Sequence, residues 1–256
     1  MQHVRILAFH SSQSHSGQWR ALQQDIHHHW PDSPLEGLDL IGYGQGPVLD
    51  KLAADFRFDD EIAALQATGT FADDTPLVLI GHSYGGALAL RLARELGDRV
   101  VGVIVYEPVA FHVLPAAHPA RSEIVAIAKT MDTSSLSQAC AAFVDYWNQP
   151  GYFAALPPRL QRAMITQQRK VSADFHALFD EPARAEDYAE IACPVWLLHG
   201  NQSPLSSRTV ADILAAHVPV CHRITVDAGH MGPLTHPERV NPHLVQALHT
   251  LLAGLD

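Results

Sequence analysis

A chain of 256 residues, 47% hydrophobic and 17% charged, can bury a full core and has neither a disordered nor a fibrous composition. A formal net charge of −10 with scattered Lys and Arg offers no basic stripe for phosphates, so nucleic acid is not an expected partner and a small-molecule substrate is. No apolar run approaches the roughly 20 residues that span a bilayer, Met1 to Phe9 is too short and polar for a signal peptide, and Cys140, Cys193 and Cys221 have no metal-ligand spacing; the expectation is a cytoplasmic protein with no membrane span, no metal and no cofactor.

Short apolar, β-branched runs alternate with helical patterns, the rhythm of an α/β fold with a parallel sheet. Six strands are predicted: "VRILAF" (4–9), "LEGLDL" (35–40), "LVLIG" (77–81), "VVGVIVY" (100–106), "VWLLH" (195–199) and "HRITVD" (222–227). A helix begun near Gly17 ends in "DIHHHW"; neighbours on a helix point about 100° apart, so His27, His28 and His29 do not converge on an ion and suit the negative end of the helix dipole instead. A second helix runs from Tyr84 to Leu96 and stops at Gly97. A last one is expected to take Asn241 as N-cap, Pro242 in its first turn and Gly254 past its end. From about Ala110 to Glu190 no strand signal occurs. "SEIVAIAKTM", "SLSQACAAFVDYW" and "PRLQRAMITQQRK" read as short helices split by prolines, an insertion too long for a connecting loop.

The strongest chemical signal is "LVLIGHSYGGALAL". Gly81, His82, Ser83, Tyr84 and Gly85 match G-x-S-x-G between a strand and a helix, the setting in which a sharp turn exposes a serine nucleophile. Side chains two positions before and after that serine would collide with the turn, hence the glycines. A phosphate-binding loop fits less well, because neither G-x-G-x-x-G nor a following Lys is present. A serine hydroxyl needs a base, and "VDAGHMGPLTHPERVN" puts His230 just after the last strand; His236, followed by Pro237, belongs to the approach of the final helix.

Taken together, "FHSSQSHSGQW", "LIGYGQGP", "GHSYGG", "YEPVA", the helical insertion, "LLHGNQSP" and "GHMGP" resemble, in that order and over almost the whole chain, an α/β-hydrolase of the lid-bearing kind. The resemblance implies a mostly parallel six-stranded sheet flanked by helices, with a core of residues 1–109 and 191–256 and a helical lid over 110–190. With "VRILAFH" as the first strand signal, the resemblance implies a sheet without the family's usual first two strands, as in the compact plant esterases and hydroxynitrile lyases of this fold. It further implies Ser83 as nucleophile, His230 as base, and an oxyanion hole from the backbone N–H groups of Tyr84 and of Ser12, with Ser11 standing where many relatives have Gly.

One departure bears on mechanism. The family's G-x-x-D turn reads Gly200, Asn201, Gln202, Ser203, so no carboxylate occupies the aspartate's place. In haloalkane dehalogenases and some lipases of this fold the acid follows the strand one nearer the nucleophile, which here ends at Glu107. Glu107 is therefore the expected acid, although relatives with a normal aspartate also carry "YEP". Asp227, three residues before His230, is the alternative and suits a loop cap. Met231, Trp147 and Phe111 are the expected pocket residues. The expected activity is hydrolysis of a small, largely apolar carboxylic ester through an acyl-enzyme. Lactone, amide or C–C hydrolysis, perhydrolysis and hydroxynitrile cleavage use the same constellation, and a non-catalytic ligand-binding protein is the alternative for which the missing aspartate argues. The sequence does not specify an oligomeric state.

Overall fold

The computed structural model describes residues 3–31 and 34–254; Met1 and Gln2, the start of the amino-terminal stretch considered above, lie outside the described residues. Six strands form one sheet: β1 (Arg5–Phe9), β2 (Leu35–Leu38), β3 (Leu77–His82), β4 (Val100–Tyr106), β5 (Val195–Gly200) and β6 (Cys221–Val226). Their order is β2-β1-β3-β4-β5-β6 and every neighbouring pair is parallel. The helices are α1 (Arg20–His29), α2 (Phe58–Ala67), α3 (Tyr84–Leu96), α4 (Pro119–Thr133), α5 (Leu136–Trp147), α6 (Tyr152–Ala155), α7 (Pro158–Phe179), α8 (Leu205–His217), α9 (Gly232–Thr235) and α10 (Pro237–Ala253).

The continuous apolar runs of β3 and β5 follow from burial on both faces, and strand periodicity sorts their side chains between two cores. Leu7, Phe9, Leu79, Val103, Val105 and Leu197 meet α2, α3, α8 and helices of the segment between β4 and β5. Ile6, Ala8, Val78, Ile80, Ile104 and Leu198 meet α1 and α10. Because β1 is followed by β2 on one side and β3 on the other, the sheet changes direction between β1 and β3. The carboxyl ends of such adjacent strands leave the crevice where open α/β sheets bind ligands.

Three expectations need correction. The strand predicted over 35–40 ends at Leu38, because Asp39 turns the chain: its carboxylate accepts the Ser16 N–H at 2.5 Å and the Gln45 N–H at 2.7 Å. The helices between β4 and β5 are not all short: α7 runs for 22 residues, with its prolines at its start and none in its interior. The last helix begins at Pro237 rather than after Asn241, with His236 at its N-cap and Pro242 inside it. Asn241 donates instead to Asp25 Oδ2 on α1, at 3.2 Å. Pro237 already satisfies the first-turn preference, and Pro242 sits close enough to the start to lose only the bond to the Glu238 carbonyl.

Candidate active site

β3 ends in a turn that forces Ser83 to φ 56° and ψ −119°, a strained conformation for a residue with a side chain. The flanking glycines permit it. A Cβ on Gly81 would strike the Gly85 carbonyl and the Gly86 Cα, and one on Gly85 would strike the carbonyls of Phe9 and His10 at the end of β1. The turn thus presses the start of α3 against the β1 loop. Ser83 accordingly sits at the carboxyl end of the sheet with its N–H donating to the Tyr106 carbonyl at 3.0 Å.

His230 reaches this serine from the far edge of the sheet, and two buried side chains hold its loop. Tyr106 donates its hydroxyl to the Gly229 carbonyl at 2.8 Å, and His82 Nε2 donates to the His230 carbonyl at 2.9 Å. His230 Nε2 then lies 2.9 Å from Ser83 Oγ, and its Nδ1 lies 2.6 Å from Glu107 Oε2. Ser83, His230 and Glu107 are all buried. The three side chains thus form one hydrogen-bonded line across β3, β4 and the loop after β6.

Glu107 also has a strained backbone, with φ 46°. Its Oε1 accepts the Gly200 N–H at 2.6 Å, at the head of the turn where the resemblance expects an aspartate, and its Oε2 accepts the Ser207 hydroxyl at 2.8 Å. Burial pushes this carboxyl up, but the hydrogen bond and charge of His230, with the Ser203 hydroxyl and the Gly200 amide, outweigh it and hold the group below the ordinary value. Ser203 is buried beside this carboxyl, its hydroxyl short of the geometry of a well-formed hydrogen bond among the described residues. Asp227 is exposed and is tied to Asn201, Gln202 and Arg239. Ser207, which sequence reasoning missed, stands 3.4 Å from His230 Nδ1 as well. Its signal was faint: it lies one helical turn after Ser203 at the start of α8.

The loop after β1 faces the elbow. The buried His10 ring is held at both nitrogens: Nε2 accepts the Leu40 N–H at 3.1 Å and Nδ1 donates to the Ser11 carbonyl at 2.8 Å. Burial keeps this imidazole neutral by lowering its pKa to about 4. The peptide is planar, so fixing the Ser11 carbonyl also fixes the plane of the Ser12 N–H. Gln18 Oε1 accepts both the N–H and the hydroxyl of Ser11, and Gln13 takes a left-handed φ of 55°.

A cavity of about 540 Å³ opens over Ser83 and His230. Ser12, Trp147 and Met231 line it, together with Phe143, Met164 and Leu156. Trp147, at the end of α5, stacks on the His230 imidazole with ring centroids 3.8 Å apart and planes 28° from parallel. Phe111, the third residue expected at the pocket, is fully buried against Trp147, Phe175 and Phe179 in the short turn Phe111–Val113 and is not among the residues that line this cavity.

A model of the alpha/beta hydrolase family matches residues 6–243. The chain belongs to that family. A lipase of Mycobacterium tuberculosis, LipV, is 35% identical over 105 residues, which are 41% of this chain and 37% of the lipase. A haloalkane dehalogenase of Mesorhizobium japonicum is 33% identical over 102 residues, 40% of this chain and 31% of that protein. The chain thus matches about a third of the length of each relative. Among solved structures, an esterase from Thermogutta terrifontis superposes with a TM-score of 0.71 at 20% identity, over 97% of this chain and 90% of that one. At that identity the likeness speaks for the shared α/β-hydrolase fold. Among the described residues, no helix is long and apolar enough to cross a membrane.

Proposed function

We propose that this α/β-hydrolase-family chain is a serine hydrolase that cleaves a small, largely apolar carboxylic ester through an acyl-enzyme. The observation that carries the reading is the line Ser83 Oγ, His230 Nε2, His230 Nδ1, Glu107 Oε2, with separations of 2.9 and 2.6 Å, at the floor of a cavity walled by Trp147, Phe143, Leu156, Met164 and Met231.

In this reading Ser83 Oγ attacks the ester carbonyl carbon while its proton passes to His230 Nε2. Glu107 keeps the other proton on Nδ1 and stabilises the imidazolium. The N–H groups of Tyr84, at the head of α3, and of Ser12 receive the oxyanion. As the tetrahedral intermediate collapses, His230 returns its proton to the departing alkoxide. Water then attacks the acyl-enzyme with His230 again as base, and Ser83 is regenerated as the carboxylic acid leaves. The segment 110–190 acts as a cap, with α5 bringing Trp147 over the base. The mostly apolar walls favour an apolar substrate over a charged one.

Two measurements test this. A fluorophosphonate should label Ser83 in the wild type and fail to label Ser83→Ala. Hydrolysis of p-nitrophenyl acetate or butyrate should vanish in the same variant; undiminished labelling and turnover in Ser83→Ala would remove the nucleophile.

A further inference from the structure

A buried ionic cluster lies beneath the loop after β1, and nothing in the acyl-transfer steps uses it. Lys170 on α7 is buried with its ammonium paired to Asp174, one turn along the same helix, and to Glu61 on α2 at 2.9 Å. The rings of Phe56, Tyr84 and Tyr43 surround that ammonium at 4.4, 4.8 and 5.0 Å from their centroids. Every carboxylate oxygen receives a donor. Glu61 takes the Ile41 N–H on one oxygen and the Tyr84 hydroxyl with Lys170 on the other. Asp174 takes Lys170 on one oxygen and, on the other, the hydroxyls of Ser12 and Tyr43, each at 2.6 Å.

Assembling three charges out of water is expensive, and apolar residues of similar volume would often stabilise a fold as well. What such a cluster supplies is fixed geometry, and its two ends are informative. Asp174 holds the side chain of Ser12, and Glu61 holds the side chain of Tyr84. These are the two residues whose backbone N–H groups are read above as the oxyanion donors. A second tie joins the loop to the same helix: Gln13 Nε2 donates to the Met164 carbonyl of α7 at 3.0 Å. With Ser11 in place of the more permissive glycine and Gln13 in a left-handed conformation, this loop is held in a shape that a free chain would abandon.

We propose that the Lys170–Asp174–Glu61 cluster is the positioning device of the oxyanion hole, setting the distance between the Ser12 and Tyr84 amides and tying that distance to α7. Lys170, Asp174, Glu61 and Tyr43 touch no substrate; they act through Ser12 and Tyr84. The inference rests on the serine-hydrolase reading, and its test keeps the two apart.

Labelling of wild-type Ser83 by a fluorophosphonate and turnover of p-nitrophenyl butyrate come first; without them the functional reading falls. Given both, Ser12→Ala, Ser12→Thr and Tyr43→Phe are compared by kcat, KM and inhibition by an aryl trifluoromethyl ketone, whose adduct with Ser83 places an oxyanion in the hole. Ser12→Ala and Tyr43→Phe should each lower kcat about ten- to a hundredfold, less than loss of a donor outright, and weaken the ketone by a similar factor. KM should stay within about twofold. Ser12→Thr, which keeps the hydroxyl, should restore most of kcat, and the double variant Ser12→Ala with Tyr43→Phe should be little worse than either single one, because both act on one peptide. Wild-type kcat and ketone affinity in Ser12→Ala would overturn the proposal, as would a fall in melting temperature alone in Tyr43→Phe. Should Tyr43→Phe fail to fold, the Ser12 pair, at the cavity wall, still decides.

Discussion

Glu107 approaches His230 from the end of β4, whereas an aspartate in the G-x-x-D turn would approach from the end of β5, and the two backbones meet where Gly200 donates to Glu107 Oε1 at 2.6 Å. What orients an imidazole is a carboxylate oxygen at Nδ1, whatever strand it comes from. Glu107→Gln keeps the size but not the charge, and it turns an amide N–H₂ toward one of two sites that each already present donors. Its kcat should fall about two to four orders of magnitude on a p-nitrophenyl ester. Ser203→Ala should leave kcat nearly unchanged, since the Gly200 N–H and the Ser207 hydroxyl still hold Glu107. Adding Ser203→Asp to Glu107→Gln should recover part of the lost kcat, showing that both seats address the same nitrogen. Full activity in Glu107→Gln alone would instead move the acid elsewhere, with Asp227→Asn the next variant to assay.

At the scale of elements, α5 brings one residue to the base and leaves its neighbours as support. Trp147 covers the His230 ring, where a π face stabilises the imidazolium that forms during catalysis. Trp147→Ala should therefore lower kcat as well as raise KM, while Trp147→Phe, which keeps a stacking face, should recover most of kcat. Phe111→Leu, behind it, should lower the melting temperature and leave both kinetic constants near wild type; the reverse pattern would mean that Phe111, not Trp147, meets the substrate. The sequence could not separate these two aromatics, because both are bulky residues in the same helical insertion and only the packing of α5 against α7 decides which faces Ser83. By contrast the places of Ser83 and Glu107 at the ends of β3 and β4 were legible, since each directly follows a continuous apolar strand; the role expected of Glu107 came from the resemblance, not from the strand. The elbow glycines were legible for the same local reason. Ser207 and the Lys170–Glu61 pair were not: their partners lie 100 and 109 residues away, and no local pattern marks such a pair. The start of α10 was misplaced because Pro237 and Pro242 both fit a first helical turn, and the choice between them is made by Asn241 reaching α1.

Over the whole molecule, the buried histidines couple stability to pH. His10 and His112 each donate from one ring nitrogen to a carbonyl and accept at the other, from the Leu40 N–H and from the Tyr188 hydroxyl respectively, so a second proton on His10 would face an amide donor and one on His112 would have to turn the Tyr188 hydroxyl round in a buried site. His82 donates to the His230 carbonyl and leaves its Nδ1 buried without a partner among the described residues. Burial accordingly lowers their pKa values, to about 4 for His10 and His112 and about 3 for His82, from an ordinary value of 6.5. The unfolded chain takes up these protons below pH 6.5 while the folded chain refuses them until near pH 4 or 3, so stability rises with pH across that window. Above it the three rings are neutral in both states and contribute no slope. Each refused proton steepens the dependence by up to about 1.4 kcal/mol per pH unit. Urea unfolding should therefore show stability constant from about pH 8 to 7 as far as these groups are concerned, then falling steeply toward pH 4.5. His112→Gln, remote from the cavity and able to keep one donor and one acceptor, should flatten that fall by close to one proton while leaving stability at pH 8 within about 1 kcal/mol of wild type. Identical slopes for the variant and the wild type between pH 6 and about 4.5 would show that the folded protein accommodates the imidazolium at this position.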